Sequence, residues 1–271
     1  RSSTLWAEAG TDMGSLDALV SRGLVHRSQY GFGIHAVIRA VVADRMPLKD
    51  RDSLHSLAGA HLSRHGADPE SLLEGAHHLA CAKNVGELAR LLRSKGMTIL
   101  REGFVEVALA LDGLDLAGAN SADRAWILFV LGSAKDLVGA PDAEAHLEEA
   151  LRLARELPVP DTSLLSGVHE AIGRHLLSCK DAEVAMEHLD RALDLAAATG
   201  ENRSETEVQR LFSVLTCRVL AFLEMEKTAR ALEDARAARK LAAELDDPSL
   251  MAVAGQNTAR ILLAGGDAGG A

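Results

Sequence analysis

Aromatic side chains make up only 3% of this 271-residue chain: two Trp, one Tyr and five Phe. That scarcity excludes a core built on stacked rings. With 48% of residues hydrophobic, the interior must come from Leu, Ala and Val, which suits helices packed closely through small side chains. Cysteine is also sparse. Cys81, Cys179 and Cys217 are odd in number and far apart, so they make neither a disulfide framework nor a CxxC metal pair. They read as small buried residues in a reducing compartment. No apolar run approaches the roughly 20 residues of a membrane helix, and no secretory leader is visible. A cytoplasmic location without membrane contact is therefore expected. Positive charge is in deficit, with 29 Lys and Arg against 39 Asp and Glu and a net charge of −10. Nucleic acid is thus disfavoured as a wholesale partner, because that affinity rests on cations neutralising phosphates. The chain opens on Arg1 in what reads as the middle of an element, and is expected to be part of a longer protein.

What the sequence does contain is periodicity. Ala-x3-Leu/Ala-x2-Ala recurs three times, as Ala143/Leu147/Ala150, Ala185/Leu189/Ala192 and Ala231/Ala235/Ala238. The recurrences lie 42 and 46 residues apart. Self-similarity at such a period marks a stacked array, in which each unit buries its apolar face against its neighbours. Each recurrence sits in the second helix of a predicted pair, over 121–156, 162–199 and 203–245. Residues 248–264 open a fourth unit. An irregular bundle with alanine-rich contacts is the plainer alternative.

Upstream, Leu16, Leu19 and Val20 have helical spacing, and Gly23 closes that helix. Two β-prone runs, Leu24–Arg27 and Phe32–His35, flank a polar, glycine-containing turn and predict a small hairpin. A helix through Val37, Ile38, Val41 and Val42 follows, ended by Pro47. Between Asp50 and Leu111 the pattern is helical. Leu54, Leu57, Ala58 and Leu62 share a face in the first of these helices, Pro69 opens the second, and Asn84 caps a third that Gly96 ends. Thr98–Arg101 and Phe104–Leu111 are further short helical stretches. The expected organisation is 1–48, a small helix–hairpin–helix unit; 49–118, a helical-hairpin arm; 119–264, the repeats; and 265–271, a disordered tail.

The second repeat carries a specific resemblance. Ala185 follows Gly173 by twelve residues, Leu189 by four more, and Ala192 by three more. This resembles the tetratricopeptide repeat, in which a small residue in the first helix packs on small residues in the second. The third repeat has Val219 in the glycine position, and the first, from Gly132 to Ala143, is one residue short. All exceed the usual period of about 34 residues. The resemblance implies an all-α, right-handed α-solenoid of tetratricopeptide-like hairpins, with Gly132, Ala143, Ala150, Gly173, Ala185, Ala192, Ala231 and Ala238 as packing positions. A ligand would bind on its concave side, where Trp126, Arg174, His175 and Arg218 are the candidate groove residues. Trp126 reads equally well as core.

The segment LDALVSRGLVHRSQYGFGIHAVIRAVVADRM resembles the winged-helix part of the STAND signal-transduction ATPases, here as a partial winged-helix unit. The stretch from LAGAHLSRHGADPE through EGAHHLACAKN to FVEVALALDGL resembles the helical arm that follows it. These resemblances imply a nucleotide switch. An ATPase module upstream would hold ATP or ADP, the repeats would bind a protein or small-molecule inducer, and opening would lead to homo-oligomers. The chain itself carries no GxxxxGK[ST] loop, so it needs no cofactor of its own and is not expected to be an enzyme. The family's Met-His-Asp motif reads here as Ile34-His35-Ala36. The resemblance makes His35 a nucleotide sensor, conditional on the upstream module. An imidazole at a helix N-terminus can donate to phosphate, although His35 serves equally as a corner residue, and the family's Asp is missing.

Other chemistry finds less support. His61 and His65 are four apart, but HLSRH lacks the glutamate of a hydrolytic zinc helix, and His55, His77 and His78 read as interhelical or surface residues. No metal site is expected. GxSxG is absent, and no Cys–His pairing has recognisable context, so no catalytic residue is assigned. Arg22, Arg27, Arg39 and Arg45 give the N-terminal unit a basic bias that suits packing on an ATPase better than DNA. The sequence thus predicts a non-catalytic sensor arm of a STAND-type regulator. The alternatives are a free-standing scaffold, or a winged-helix DNA-binding regulator with a helical dimerisation arm.

Overall fold

The computed structural model describes residues 13–28, 31–34, 36–66, 68–101, 103, 105–109, 111–198 and 203–265. His35, on which nucleotide sensing rests, and the tail 266–271 lie outside the described residues. Among the described residues the structure is all-α but for one β-hairpin, and the chain divides into two compact units between Ala119 and Asn120.

The first unit begins with α1 (Met13–Ser21), closed by Gly23 at φ +70°, a left-handed conformation that glycine adopts without strain. Next come β1 (Val25–Ser28) and β2 (Gly31–Ile34), antiparallel, with Val25 opposite Ile34. Helix α2 (Ala36–Arg45) follows, and leaves Val37, Val41 and Val42 exposed.

Three longer helices form the rest of this unit: α3 (Leu48–His65), α4 (Pro69–Cys81) and α5 (Val85–Arg101), with a short α6 (Val105–Leu109) against α4 and α5. Asp68 caps α4, accepting from the Ser71 amide at 2.8 Å, with Pro69 at the first helical position. Asn84 caps the start of α5 through Glu87 N–H and also donates to Ser56 of α3 at 2.8 Å. Two details differ from expectation. Gly96 does not end α5: it is buried, and the helix continues through Thr98–Arg101. A glycine inside a helix costs about 1 kcal/mol, which the burial of Ile99 and Leu100 one turn later outweighs. Leu54 faces out at 48% exposure, while Gly59 and His61 turn inward.

The second unit is a succession of antiparallel helices: α7 (Ser121–Leu137), α8 (Ala143–Arg155), α9 (Thr162–Ser178), α10 (Ala182–Ala197), α11 (Glu205–Glu224), α12 (Thr228–Glu244) and α13 (Pro248–Ala264). Each packs on the next in sequence, and α7, α9, α11 and α13 also touch in order. Starts are marked by Asn120, Asp161, Asp181 and Asp247, each accepting from a first-turn amide. Ser204 and Glu207 form a reciprocal capping box on α11. Turns within the pairs close on a left-handed residue: Gly139, Lys180 and Glu226 at φ +68°, +63° and +57°. The amide after each bonds back five residues, as Ala140 to the Lys135 carbonyl at 2.9 Å and Lys227 to that of Phe222 at 2.8 Å.

Candidate functional site

Close approach within the first two pairs rests on a missing side chain. A Cβ on Gly132 would stand 2.9 Å from Leu147, and one on Gly173 would stand 2.7 Å from Leu189 and 3.2 Å from the Ala185 carbonyl. In the third pair the fully buried Val219 takes this place. Ala143, Ala150, Ala185, Ala192, Ala231 and Ala238 are all buried. The first unit repeats the device, with Gly59 of α3 lying where a Cβ would be 2.6 Å from Leu79 of α4.

Of the four groove candidates, Trp126 is core. It is 2% exposed, and its indole N–H donates to Asp161 Oδ2 at 3.0 Å, so it lines no groove. Its edge meets Phe129 at a centroid distance of 5.8 Å.

Arg174 and His175 come together on one partner. Arg174 Nε donates to Asp136 Oδ2 at 3.2 Å, and His175 Nδ1 donates to Asp136 Oδ1 at 2.8 Å. Asp136 ends α7, so this fork ties the first helices of two successive pairs. The ladder continues, because Glu170 faces Arg174 Nη1 at 4.0 Å and accepts the Ser213 hydroxyl of α11. Asp136 and Glu170 are 8% and 7% exposed at their side chains. Burial opposes the Arg174 charge, but Glu170, Cys217 and Asp136 outweigh it and hold the guanidinium above its ordinary value. Burial pushes the neighbouring Cys217 thiol up to about 12.

Arg218 sits apart from this ladder. Its Nε lies 3.4 Å from Asp190 of α10 and 3.3 Å from Asp234 of α12. Neither contact is a well-aligned hydrogen bond. Its guanidinium also covers the Phe222 ring at 5.4 Å. Burial raises the Asp234 carboxyl above its usual range despite the facing Arg218. The two arginines therefore serve different seams.

Sequence reasoning reads His55 and His78 as interhelical or surface residues without naming partners, and does not single out His169 and His188. His169 Nδ1 faces His188 Nδ1 at 3.2 Å across α9 and α10, and His55 Nδ1 faces His78 Nδ1 at 2.7 Å across α3 and α4. At such distances the two rings share one proton, and both cannot be imidazolium. Burial is the first cause that lowers all four values, His169 to about 4. The signal in the sequence is His-Leu before a packing leucine, His78-Leu79 and His188-Leu189, with a histidine four residues before the facing glycine, His55/Gly59 and His169/Gly173. His-x3-Cys likewise occurs twice, as His77/Cys81 and His175/Cys179. No helix in the described residues is long and apolar enough to cross a membrane. No protein-family model matches this chain, and no curated protein matches it.

Proposed function

We propose that this chain is the non-catalytic sensor arm of a STAND-type regulator. In this reading residues 120–265 form a tetratricopeptide-like solenoid that holds a protein or small inducer, residues 13–45 belong to a partial winged helix, and the protein works in the cytoplasm. The observation that carries the reading is the recurring seat of Gly132 on Leu147 and Gly173 on Leu189 in successive antiparallel pairs. A small residue at that point lets the two helices of a pair close up, and such pairs bury their faces against their neighbours in an array. The order α1, β1, β2, α2 before a helical arm supports the winged-helix part. The half-buried Asp136–Arg174–Glu170–Ser213 ladder ties the first helices of three pairs together, which supports a surface that loses little entropy on binding.

ATP or ADP enters this reading through an upstream ATPase module, and His35 would be its sensor there. The test is the reading frame before Arg1 and the protein that it encodes. A P-loop followed by an acidic strand end is expected. Fluorescent ADP is then expected to leave the purified full-length protein faster in His35→Ala than in wild type. A start codon directly before Arg1, or unchanged ADP release, overturns the proposal.

A further inference from the structure

Two helices of this protein end in the same five-residue pattern. In α4 it is His77 to Cys81, and at the end of α9 it is His175 to Cys179, where Cys179 is the C-cap. Both cysteines are exposed. In both, imidazole Nε2 faces the thiol, at 3.6 Å for His77 and Cys81 and at 3.9 Å for His175 and Cys179. The two differ on the far side of the ring. His175 Nδ1 donates to Asp136 Oδ1 at 2.8 Å, and Arg174 Nε fixes the other oxygen of that carboxylate at 3.2 Å. Among the described residues no carboxylate bonds to His77.

The bond to Asp136 decides the tautomer of His175. Its proton sits on Nδ1, which leaves the Nε2 lone pair directed at Sγ of Cys179. Once Nε2 takes a proton, the carboxylate stabilises the resulting imidazolium. Carboxylate, imidazole and thiol in that order make an activated sulfur nucleophile. Asp136 is 8% exposed and His175 18% at the side chain, so water weakens the first link little, while the sulfur stays open to a reagent.

We propose that Cys179 is a thiol-modification site that takes a low-molecular-weight disulfide, with His175 as its base and Asp136 as the positioning residue. In the step, the thiol proton passes to His175 Nε2 as the Cys179 sulfur attacks one sulfur of the disulfide. A new S–S bond forms while the S–S bond of the reagent breaks. Cys179 is oxidised to the mixed disulfide. The departing sulfur is reduced, takes the proton from His175 and leaves as a thiol. A second thiol reverses the reaction by the same route. The adduct would stand at the turn between α9 and α10, beside the fork that ties α9 to α7. Nothing in the sensor reading requires this input.

The molecule contains its own controls. Cys81 has a histidine at the same spacing without the carboxylate, and Cys217 is buried. The whole chain is treated with 4,4′-dithiodipyridine, release of thiopyridone is followed, and mass spectrometry assigns the sites. Near neutral pH, Cys179 is expected to react about tenfold or more faster than Cys81. Asp136→Asn is expected to bring it down to the Cys81 rate, as is His175→Gln. At about pH 10, where ordinary thiols ionise unaided, the three proteins are expected to converge. That pH profile separates activation of the thiol from simple loss of packing. Cys217 stays silent wherever the fold holds; should D136N make it react, the same comparison in H175Q decides. Equal rates for Cys81 and Cys179 in the wild type, full Cys179 reactivity in the variants, or a deficit that persists at high pH overturns the proposal.

Discussion

His169 and His188 face each other Nδ1 to Nδ1 at 3.2 Å between α9 and α10, with His169 only 5% exposed. Burial is the larger cause that lowers both; His188, Arg155 and Arg191 add to it at His169, while at His188 Arg155 adds to it and Glu187 and Glu148 relieve it. His169 accordingly takes its proton only near pH 4 in the folded chain, against 6.5 ordinarily. Between those values the unfolded chain binds more protons, so stability falls as pH falls through that window and levels off below it. His188, His55 and His78, all lowered by burial, act in the same direction. The unfolding free energy from urea titrations is expected to fall by on the order of 1–3 kcal/mol between about pH 7 and 5. The double variant H169Q/H188Q is expected to flatten that dependence. An equal slope in both proteins would remove the histidine pair as its cause.

Gly173 and Gly255 are both helical but stand in opposite surroundings. A methyl on Gly173 meets Leu189 at 2.7 Å and the Ala185 carbonyl at 3.2 Å, and Leu189 is fully buried. Overpacking there outweighs the gain in helix propensity, so Gly173→Ala is expected to destabilise by roughly 1–2 kcal/mol. Gly255 in α13 has open space around it, and Gly255→Ala is expected to stabilise by about 0.5–1 kcal/mol. Ala185→Leu, beside the same seat, is expected to cost roughly 1–3 kcal/mol. Thermal melts of the three variants read this directly. A Gly173→Ala protein that melts higher would refute the close-approach account.

Lys180 holds a left-handed backbone at φ +63° in the turn from α9 to α10. Any residue with a Cβ is strained there, and glycine is not. Lys180→Gly is expected to raise stability by about 0.5–1 kcal/mol, net of the looser unfolded chain. Gly139→Ala, at φ +68° in the preceding pair, is expected to lower it by about 1 kcal/mol. Denaturant midpoints moving the same way in both variants would contradict this.

Asp161 does two jobs with one carboxylate. One oxygen accepts the Leu164 amide at 3.0 Å, and the other accepts the Trp126 indole at 3.0 Å. Asp181 caps α10 at 3.3 Å and holds no indole among the described residues. Asp161→Ala is therefore expected to cost about 2 kcal/mol and Asp181→Ala about 1 kcal/mol. Tryptophan fluorescence is expected to shift only in the first. Equal losses, with no shift, would show that the indole bond contributes nothing.

Helix positions in the second unit were legible because small-residue signals act locally. Gly132 and Gly173 lie at the spacing that brings helices close, whereas the caps Asp161, Asp181 and Asp247 were signals the sequence reading left unused. Local rules misled where their cost was small. Gly96 reads as a stop, yet its penalty yields to the buried leucine-rich face of α5. Leu54 shares a helical stripe with Leu57 and Leu62, but which side of a weakly amphipathic helix turns inward was set by α4, whose Leu79 claims the space at Gly59. Trp126 was ambiguous from sequence because its anchor, Asp161, comes from the next pair.

A helical chain with one small hairpin and a repeated small-residue seat could be read from residue spacing alone, since each follows from contacts within a few helical turns. Packing between helices set the rest: Asp136 against both Arg174 and His175, Glu170 against Ser213, and two histidine pairs face to face. Those partners lie on different helices, and 19 to 43 residues separate them along the chain. Their meeting depends on how far each helix is rotated and slid against its neighbour, a quantity fixed by the packing of whole faces.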